Sequence, residues 1–186
     1  ALLWKAPLDR LRELKKLKAL ISLGQGVDHI LDNGFISKNL TIVRIVDPYM
    51  AKSMSHWVLS SILNFTRDTY GYFKQEQTKI YKARKEIDFL SFKIAVYGVG
   101  AIGSVVINDL LQMGFEVRGW SRTKKKLDNI KCYYGEKGFR KLNETCFVHV
   151  CLLPLTSATK NIFNKETFKM MKHGSCFINA GRVGHV

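Results

Sequence analysis

The stretch Ile94–Gly103, IAVYGVGAIG, decides how this sequence folds. An apolar run ends in three glycines with GxGxxG spacing, and an apolar, helix-like run follows. A lone GxGxxG is weak evidence, but a strand before it and a helix after it are the context of a dinucleotide phosphate loop. Gly98 permits the turn, Gly100 leaves room for a pyrophosphate, and Gly103 lets helix and strand pack closely. Free amides at the helix N-terminus, from Ala101 and Ile102 onward, then face the anion.

The next strand, within EVRGWSRTKKK at 116–126, ends without the carboxylate that usually binds the adenosine ribose. Counting 121 − 103 = 18 residues past the last glycine reaches Ser121, followed by Arg122. A carboxylate would repel a 2′-phosphate, whereas Ser121 can donate to it and Arg122 can clamp it. Thr123 and Lys124 add donors and charge. The sequence therefore predicts NADP(H) in preference to NAD(H), and the alternative is a solvated loop without a ligand.

From Phe92 onward the pattern alternates strand and helix. FKIAVYG, FEVRGW, KCYYG, VHVCLLP and SCFINAG are typical of strands, and AIGSVVINDLLQMG and NKETFKMMKHG are typical of helices. Continuous apolar strands alternating with helices indicate a parallel sheet covered on both faces. The predicted class is α/β, with a Rossmann-like doubly wound sheet.

Residues 1–48 form a separate alternation of short strands (ALLW, LKALISLG, TIVRIVDP) and helical patterns (PLDRLREL, VDHILDNG). The longest helical pattern then runs from Tyr49 to about Gln77, and its apolar spacing predicts more than one partner surface. We therefore predict two domains, at 1–48 and 49–186.

Composition limits the class of protein. The 186 residues are 46% apolar and 24% charged, which is typical of a globular protein, and no run reaches the length of a membrane span. The charged N-terminal stretch does not resemble a signal peptide. The four cysteines lack CxxC spacing, and three of them lie in apolar, strand-like runs (ETCFVHVC and GSCFIN). We therefore predict buried free thiols, a reducing cytoplasm and no metal site.

The net charge of +15 raises the alternative of a nucleic-acid partner. Most of the lysines are scattered along the chain, and only the KKK run at 124–126 is concentrated. Aromatic residues are not interleaved with that run, as stacking platforms for bases would be. We therefore favour a small-molecule ligand over nucleic acid.

Five motifs together, SLGQGVDHI, GVGAIG, GWSRTKK, CLLPLT and INAGR, resemble the D-isomer-specific 2-hydroxyacid dehydrogenases, and within that family the glyoxylate/hydroxypyruvate reductase A group. The resemblance runs over the whole chain. It implies part of a flavodoxin-like substrate domain facing an NADP-binding domain across a cleft, and a homodimer formed largely through the long helix. It also implies NADPH-dependent reduction of glyoxylate, hydroxypyruvate or a similar 2-oxo acid.

The resemblance also assigns residues. Gln25 and Gly26 match the loop whose amides hold the substrate carboxylate, and Leu153, Pro154 and Ala180 match loops at the nicotinamide end of the cofactor site. Arg182 matches the catalytic arginine, which would pair with the carboxylate of the substrate and polarise its carbonyl.

Several positions depart from the family pattern. The proton-donating histidine and its glutamate partner would lie beyond Val186, and His185 is too near Arg182 to match that histidine. His56 stands where the family usually has glutamate, and Val183 replaces a glycine, which puts the local turn in doubt.

These departures indicate an internal piece of a longer enzyme: a fragmentary gene product, an incomplete sequence or a decayed gene. The first strands of the substrate domain and the last strands of the dinucleotide sheet would be absent. We expect the piece alone to be inactive. The alternative function is a non-catalytic dinucleotide-binding module or scaffold.

Overall fold

The computed structural model describes residues 1–4, 11, 13–27, 30 and 40–186, apart from the side chain of Phe89. The chain divides into two compact units, Ala1–Pro48 and Tyr49–Val186. The two helical patterns predicted before residue 40 lie mostly outside the described residues.

The first unit contains a parallel sheet of three short strands. β1 (Leu2–Leu3), β2 (Ala19–Ser22) and β3 (Thr41–Arg44) pair in the order β1-β2-β3. Leu3, Leu20 and a third residue, Ile30, are buried together as its core.

The second unit contains a five-stranded parallel sheet in the order β6-β5-β4-β7-β8. Its strands are β4 (Lys93–Tyr97), β5 (Glu116–Ser121), β6 (Lys131–Tyr134), β7 (Val148–Cys151) and β8 (Cys176–Asn179). Its helices are α1 (Pro48–Thr66), α2 (Thr69–Gln77), α3 (Ala101–Gln112), α4 (Gly135–Thr145) and α5 (Lys165–Met170), with 3₁₀ turns at Phe89–Ser91 and Val183–His185. The strand order reverses between β4 and β7, as in Rossmann-like doubly wound sheets. The predicted fold class is confirmed.

The central strand β4 is buried on both of its faces. Ile94 and Val96 point into one core, while Ala95 and Tyr97 point into the other. Helices α1 and α3 complete the first core with Val58, Ile62, Val106, Ile107 and Leu110. Helix α4 and the segment before α5 complete the second core with Phe139, Leu142 and Phe163. Because side chains alternate between the two faces of a strand, residues 94–97 of β4 are buried without interruption.

The predicted single helix from Tyr49 to Gln77 is wrong, because it is broken between α1 and α2. Asp68 lies at the break in the left-handed region, with φ 49° and ψ 45°. Its carboxylate accepts from the amide of Gly71 at 3.2 Å and pairs with the guanidinium of Arg84. Aspartate tolerates this backbone and is a favourable N-cap, so α2 starts anew. The partner Arg84 is too far along the chain for helical periodicity to show it.

The sequence analysis also missed α4, and α5 is shorter than the NKETFKMMKHG pattern predicts. Helix α4 has only Phe139 and Leu142 as large buried apolar residues. Asn143 completes the buried face, and its Oδ1 accepts from the Tyr97 hydroxyl at 2.9 Å. A buried side-chain amide adds nothing to the apolar periodicity, so the sequence pattern does not predict a helix here. Asn164 caps the start of α5 through two backbone amides.

A buried carboxylate connects α1 to α3. Asp109 accepts from the Lys52 ammonium and from the Ser55 hydroxyl, each at 2.6 Å. Burial alone would raise the pKa of the Asp109 carboxyl, but these hydrogen bonds outweigh it and lower that pKa. The carboxylate therefore stays charged and fixes α3 against α1.

The cysteines are free thiols. Cys146 and Cys151 are buried, and burial raises the pKa of each thiol to about 11, so neither is a nucleophile at neutral pH. Cys132 and Cys176 are half-buried.

Within the described ranges, no helix combines the length and apolarity needed to cross a membrane. Among the same residues, no three or more His, Cys, Asp and Glu side chains are grouped as metal ligands.

Candidate functional site

The carboxyl ends of β4 and β7 meet where the strand order reverses, the usual place for a ligand crevice in such sheets. Gly98 follows β4 with φ +103°, a conformation that favours glycine. A Cβ at Gly98 would lie 2.7 Å from the carbonyl oxygen of Leu152, just after β7. The glycine therefore allows these two strand ends to lie side by side.

The glycine loop also sets the position of α3. A Cβ at Gly103 would overlap the carbonyl oxygen of Gly98, so the first turn of α3 packs directly on the loop. Gly100 is the N-cap and has no side-chain cap bond, and a Cβ there would meet nothing within 4 Å. Ala101 is exposed and Ile102 half-buried in the first turn. Open space beside uncapped amides fits an anion such as a pyrophosphate.

The end of β5 lies next to this loop, because the amide of Gly98 donates to the carbonyl of Trp120 at 2.9 Å. Ser121 is buried, and its hydroxyl donates to the carbonyl of Thr123 at 2.7 Å. The hydroxyl that the sequence analysis assigned to a phosphate thus organises the turn in this structure. Arg122 and Lys124 are exposed, as is Thr123 itself.

The loop after β7 is tied together by one threonine. Thr159 is buried, and its hydroxyl donates to the carbonyl of Pro154 at 2.7 Å and accepts from the amide of Thr156 at 2.8 Å. Leu153 is buried and Pro154 exposed. The two residues predicted to line the nicotinamide end are therefore part of a closed, internally bonded loop.

The loop after β8 carries Ala180 and Arg182 beside the previous loop. The amide of Ala180 donates to the carbonyl of Cys151 at 3.0 Å. The side chain of Asn179 brackets the arginine: its Oδ1 accepts from Gly181 at 3.1 Å and its Nδ2 donates to the carbonyl of Arg182 at 2.9 Å. Arg182 is exposed, and its Nη1 donates to the carbonyl of Gly181 at 3.3 Å. Arg182 is thus an exposed cation on a fixed backbone.

The doubt about Val183 is resolved by the backbone. Val183 opens the 3₁₀ turn Val183–His185, and it is not among the residues with positive φ. A glycine is therefore not needed at this position.

The loop after β2 in the first unit holds Gln25 and Gly26. The Ser22 hydroxyl donates to the carbonyl of Gly24 at 3.0 Å and accepts from the amide of Gly24 at 3.2 Å, and Arg44 donates to the carbonyl of Gln25 at 3.4 Å. The Nε2 atom of Gln25 is buried without a hydrogen-bond partner among the described residues.

The described histidines differ in exposure. His56 and His173 are exposed, whereas His149 and His185 are fully buried. His149 is a core histidine on β7: its Nδ1 lies 3.0 Å from the Tyr97 hydroxyl, and burial lowers its pKa to about 4. His29 lies outside the described residues.

The structure brings every candidate residue of the second unit to the carboxyl edge of one sheet, on the ends of β4, β5, β7 and β8. Sequence analysis missed the residues that hold these loops in place, namely Asn179, Thr159 and His185. Asn179 sits in the INAGR motif, but Thr159 and His185 stand in runs with no periodic signal.

A family model for the NAD-binding domain of D-isomer specific 2-hydroxyacid dehydrogenases matches residues 59–186. Glyoxylate/hydroxypyruvate reductase A of Yersinia enterocolitica is 30% identical over 191 aligned positions, which cover 100% of this chain and 61% of that protein. The chain therefore spans less than two thirds of the length of this relative.

The solved structures that are similar over the whole chain include the following two. A D-isomer specific 2-hydroxyacid dehydrogenase from Xanthobacter autotrophicus Py2, in complex with NADPH and MES, superposes with a TM-score of 0.93 at 30% identity. An NADPH-dependent glyoxylate/hydroxypyruvate reductase from Sinorhizobium meliloti, in complex with NADP and sulfate, gives 0.91 at 30% identity. The matches cover 100% of this chain and 59% and 60% of those chains.

Two alanine substitutions separate the structural and ligand roles of the glycine loop. Gly103→Ala should lower the free energy of unfolding by about 1–3 kcal/mol, because its Cβ overlaps a backbone oxygen. Gly100→Ala should change that free energy by less than about 0.5 kcal/mol but weaken dinucleotide binding at least about tenfold. Denaturant unfolding and calorimetric titration measure the two effects. Unchanged binding by Gly100→Ala would show that the anion lies elsewhere.

Proposed function

Because the chain belongs to the D-isomer-specific 2-hydroxyacid dehydrogenase family, we propose that the protein reduces a small 2-oxo acid, glyoxylate or hydroxypyruvate, to the 2-hydroxy acid with NADPH. The observation that carries this proposal is the shared sheet edge. An uncapped helix N-terminus, an exposed Arg122 and an exposed Arg182 all lie there, after β4, β5 and β8 of the same sheet. The similarity to reductases with these substrates in their names supports it.

NADP(H) suits this edge because each part of the molecule has a counterpart. Space beside Gly100 accommodates the pyrophosphate, and Arg122 with Lys124 supplies positive charge where a 2′-phosphate would lie. Ser121 contributes a neutral end to β5, since a carboxylate there would repel that phosphate. Two similar structures were solved with NADPH or NADP.

Arg122 should determine the preference for NADPH over NADH. We expect at least about tenfold tighter binding of NADPH, equivalent to about 1.4 kcal/mol, and loss of most of this preference in Arg122→Ala. Lys126→Ala is the matched control, because it removes one charge from the same basic run. Dissociation constants for both cofactors test this by fluorescence titration. Equal constants in the unmutated protein would rule out the assignment.

Arg182 is the residue we propose to act on the substrate. Its planar fork can pair with the carboxylate of a 2-oxo acid and with the adjacent carbonyl oxygen. A bound reduced nicotinamide would supply the hydride. Negative charge grows on the carbonyl oxygen as the bond forms, so the guanidinium stabilises the transition state more than the ground state. Leu153, Pro154 and Ala180 would line this end and exclude water.

In the first unit, we propose that Gln25 and Gly26 bind the carboxylate of the substrate. Their loop follows a parallel strand, and the unpartnered Nε2 of Gln25 is a donor that a carboxylate would satisfy.

A second candidate function is dinucleotide binding without catalysis. It is favoured by His185 at the sheet edge of the second unit, which is buried and whose two ring nitrogens both face carbonyl oxygens rather than a substrate. NADPH binding without turnover in the full-length protein would select this candidate.

Substitutions at Arg182 test its catalytic role in the full-length protein. Arg182→Ala should lose roughly 3 kcal/mol of transition-state stabilisation, a hundredfold or greater fall in kcat/KM. Arg182→Lys should lower kcat and raise KM, because an ammonium cannot reproduce the planar fork. NADPH affinity should change little in either variant. Steady-state kinetics with cofactor titration decide this, and near-normal kcat/KM in Arg182→Ala would exclude the role.

We also propose that α1 forms a homodimer interface, as the family resemblance implies. The buried positions of α1, such as Val58 and Ile62, lie on one face of the helix. The opposite face exposes large apolar side chains, with Tyr49 82%, Trp57 50% and Leu63 37% exposed. A second copy of the chain would remove this surface from water.

The free thiols fit a reducing compartment, so we propose a cytoplasmic location.

A charge on the outer face of α1 should dissociate the dimer. Trp57→Glu places a carboxylate in the proposed apolar contact, so sedimentation velocity should show the monomer mass where the unmutated protein shows twice that mass. Lys141→Glu, an exposed change on α4, should leave the dimer intact. A monomeric unmutated protein would refute the interface.

A further inference from the structure

His185 is a fully buried histidine that occupies the space between the two loops of the sheet edge. Its Nε2 lies 3.0 Å from the carbonyl oxygen of Leu153, and its Nδ1 lies 3.0 Å from the carbonyl oxygen of Thr159. Both acceptors belong to the loop after β7, while His185 itself belongs to the loop after β8. The imidazole therefore bridges the two loops through backbone oxygens.

The ring has hydrogen-bonding capacity suited to this place. A neutral imidazole donates from one nitrogen, and a ring protonated on both nitrogens donates to both carbonyls. No other described side chain donates to the carbonyl of Leu153, so leucine or methionine at 185 would leave that buried oxygen without its side-chain donor. The carbonyl of Thr159 also accepts from the amide of Ile162 at 3.4 Å. A planar ring with a nitrogen on each of two sides can reach both carbonyl oxygens at once.

The main chain of His185 is tied to the same two loops. Its amide donates to the carbonyl of Arg182 at 3.2 Å, and its carbonyl accepts from the amide of Phe163 at 2.9 Å. One residue earlier, the carbonyl of Gly184 accepts from the amide of Asn161 at 2.9 Å. The ring and the main chain together hold the backbone of Arg182 in register with the loop that begins at Leu153.

Gly181 shows how closely these groups are packed. A Cβ at Gly181 would lie 2.9 Å from Cδ2 of the His185 ring and 3.2 Å from the carbonyl oxygen of Leu153. The absence of a side chain there lets the ring enter between the loops. By contrast, a Cβ at Gly184 would first meet the end of the Leu155 side chain, at 3.2 Å, which can move.

We propose that His185 is a positioning residue that holds the guanidinium of Arg182 in place relative to the loop carrying Leu153 and Pro154. The inference rests on the proposed reductase function, which gives Arg182 its substrate. His185 does not itself contact substrate, because it is buried and its nitrogens face backbone oxygens. The proposal assigns its effect on turnover to the position of Arg182.

A double-mutant cycle in the full-length protein tests this route. His185→Leu should lower kcat/KM for the 2-oxo acid roughly tenfold to a hundredfold, as expected for misplacement of a reacting group, while NADPH affinity changes less than about threefold. His185→Gln, which keeps one amide donor, should recover part of the loss. In an Arg182→Ala background, His185→Leu should cost less than about threefold. Equal losses in both backgrounds would overturn the proposal, because a general structural defect acts independently of Arg182.

A glycine pair provides a second test that leaves the ring in the protein. Gly181→Ala should displace the ring and reproduce the kcat/KM defect of His185→Leu. Gly184→Ala is the matched control in the same loop and should stay within about threefold of the unmutated protein. Equal effects of the two substitutions would overturn the proposed packing of the ring.

Amide hydrogen exchange tests the bridge without any assay of activity. His185→Leu should speed exchange at Asn161 and Phe163 at least about tenfold while the core strands keep their protection. Unchanged exchange at both amides would overturn the bridge. If the unmutated protein shows no reductase activity, the proposed function is wrong. The exchange result still tests whether His185 bridges the two loops.

Discussion

The close approach of Gly103 to the carbonyl oxygen of Gly98 is the contact on which the rest of the second unit depends. It seats the first turn of α3 against the end of β4, so the uncapped amides of that turn open onto the carboxyl edge of the sheet. Because β4 is the central strand, the ends of β5 and β7 are placed from it on either side. A larger residue at Gly103 would separate helix from strand and shift this edge.

The central position of β4 also explains how the sheet is stabilised. Ile94 and Val96 are buried in one core and Ala95 and Tyr97 in the other, so one strand supports helices on both faces. Two polar groups in these cores are held by hydrogen-bond partners. Asp109 is held by an ammonium and a hydroxyl, and the Tyr97 hydroxyl lies between an amide and an imidazole. Each of these contacts fixes one helix or strand against its neighbour.

The proposed chemistry depends on exposed cations carried by a rigid backbone. Arg122 and Arg182 are both exposed, and each lies in a turn that a preceding side chain organises, Ser121 in one case and Asn179 in the other. Rigid placement matters because the benefit of a guanidinium falls quickly when it is misplaced. The bridging ring of His185 extends the same principle to two loops at once.

The sequence by itself determined the strands, most helices, the glycine loop and the candidate residues that follow β5 and β8. These features are local: side chains alternate along a strand, and GxGxxG spacing and an absent acid can be read within a few residues. Only the tertiary structure decided the strand order, the break at Asp68, helix α4 and the burial of His185. Each of these depends on a partner distant in sequence, such as Arg84 for Asp68, Tyr97 for Asn143 and Leu153 for His185. Such contacts leave no periodic trace in the chain, because a hydrogen bond constrains only the two residues that form it.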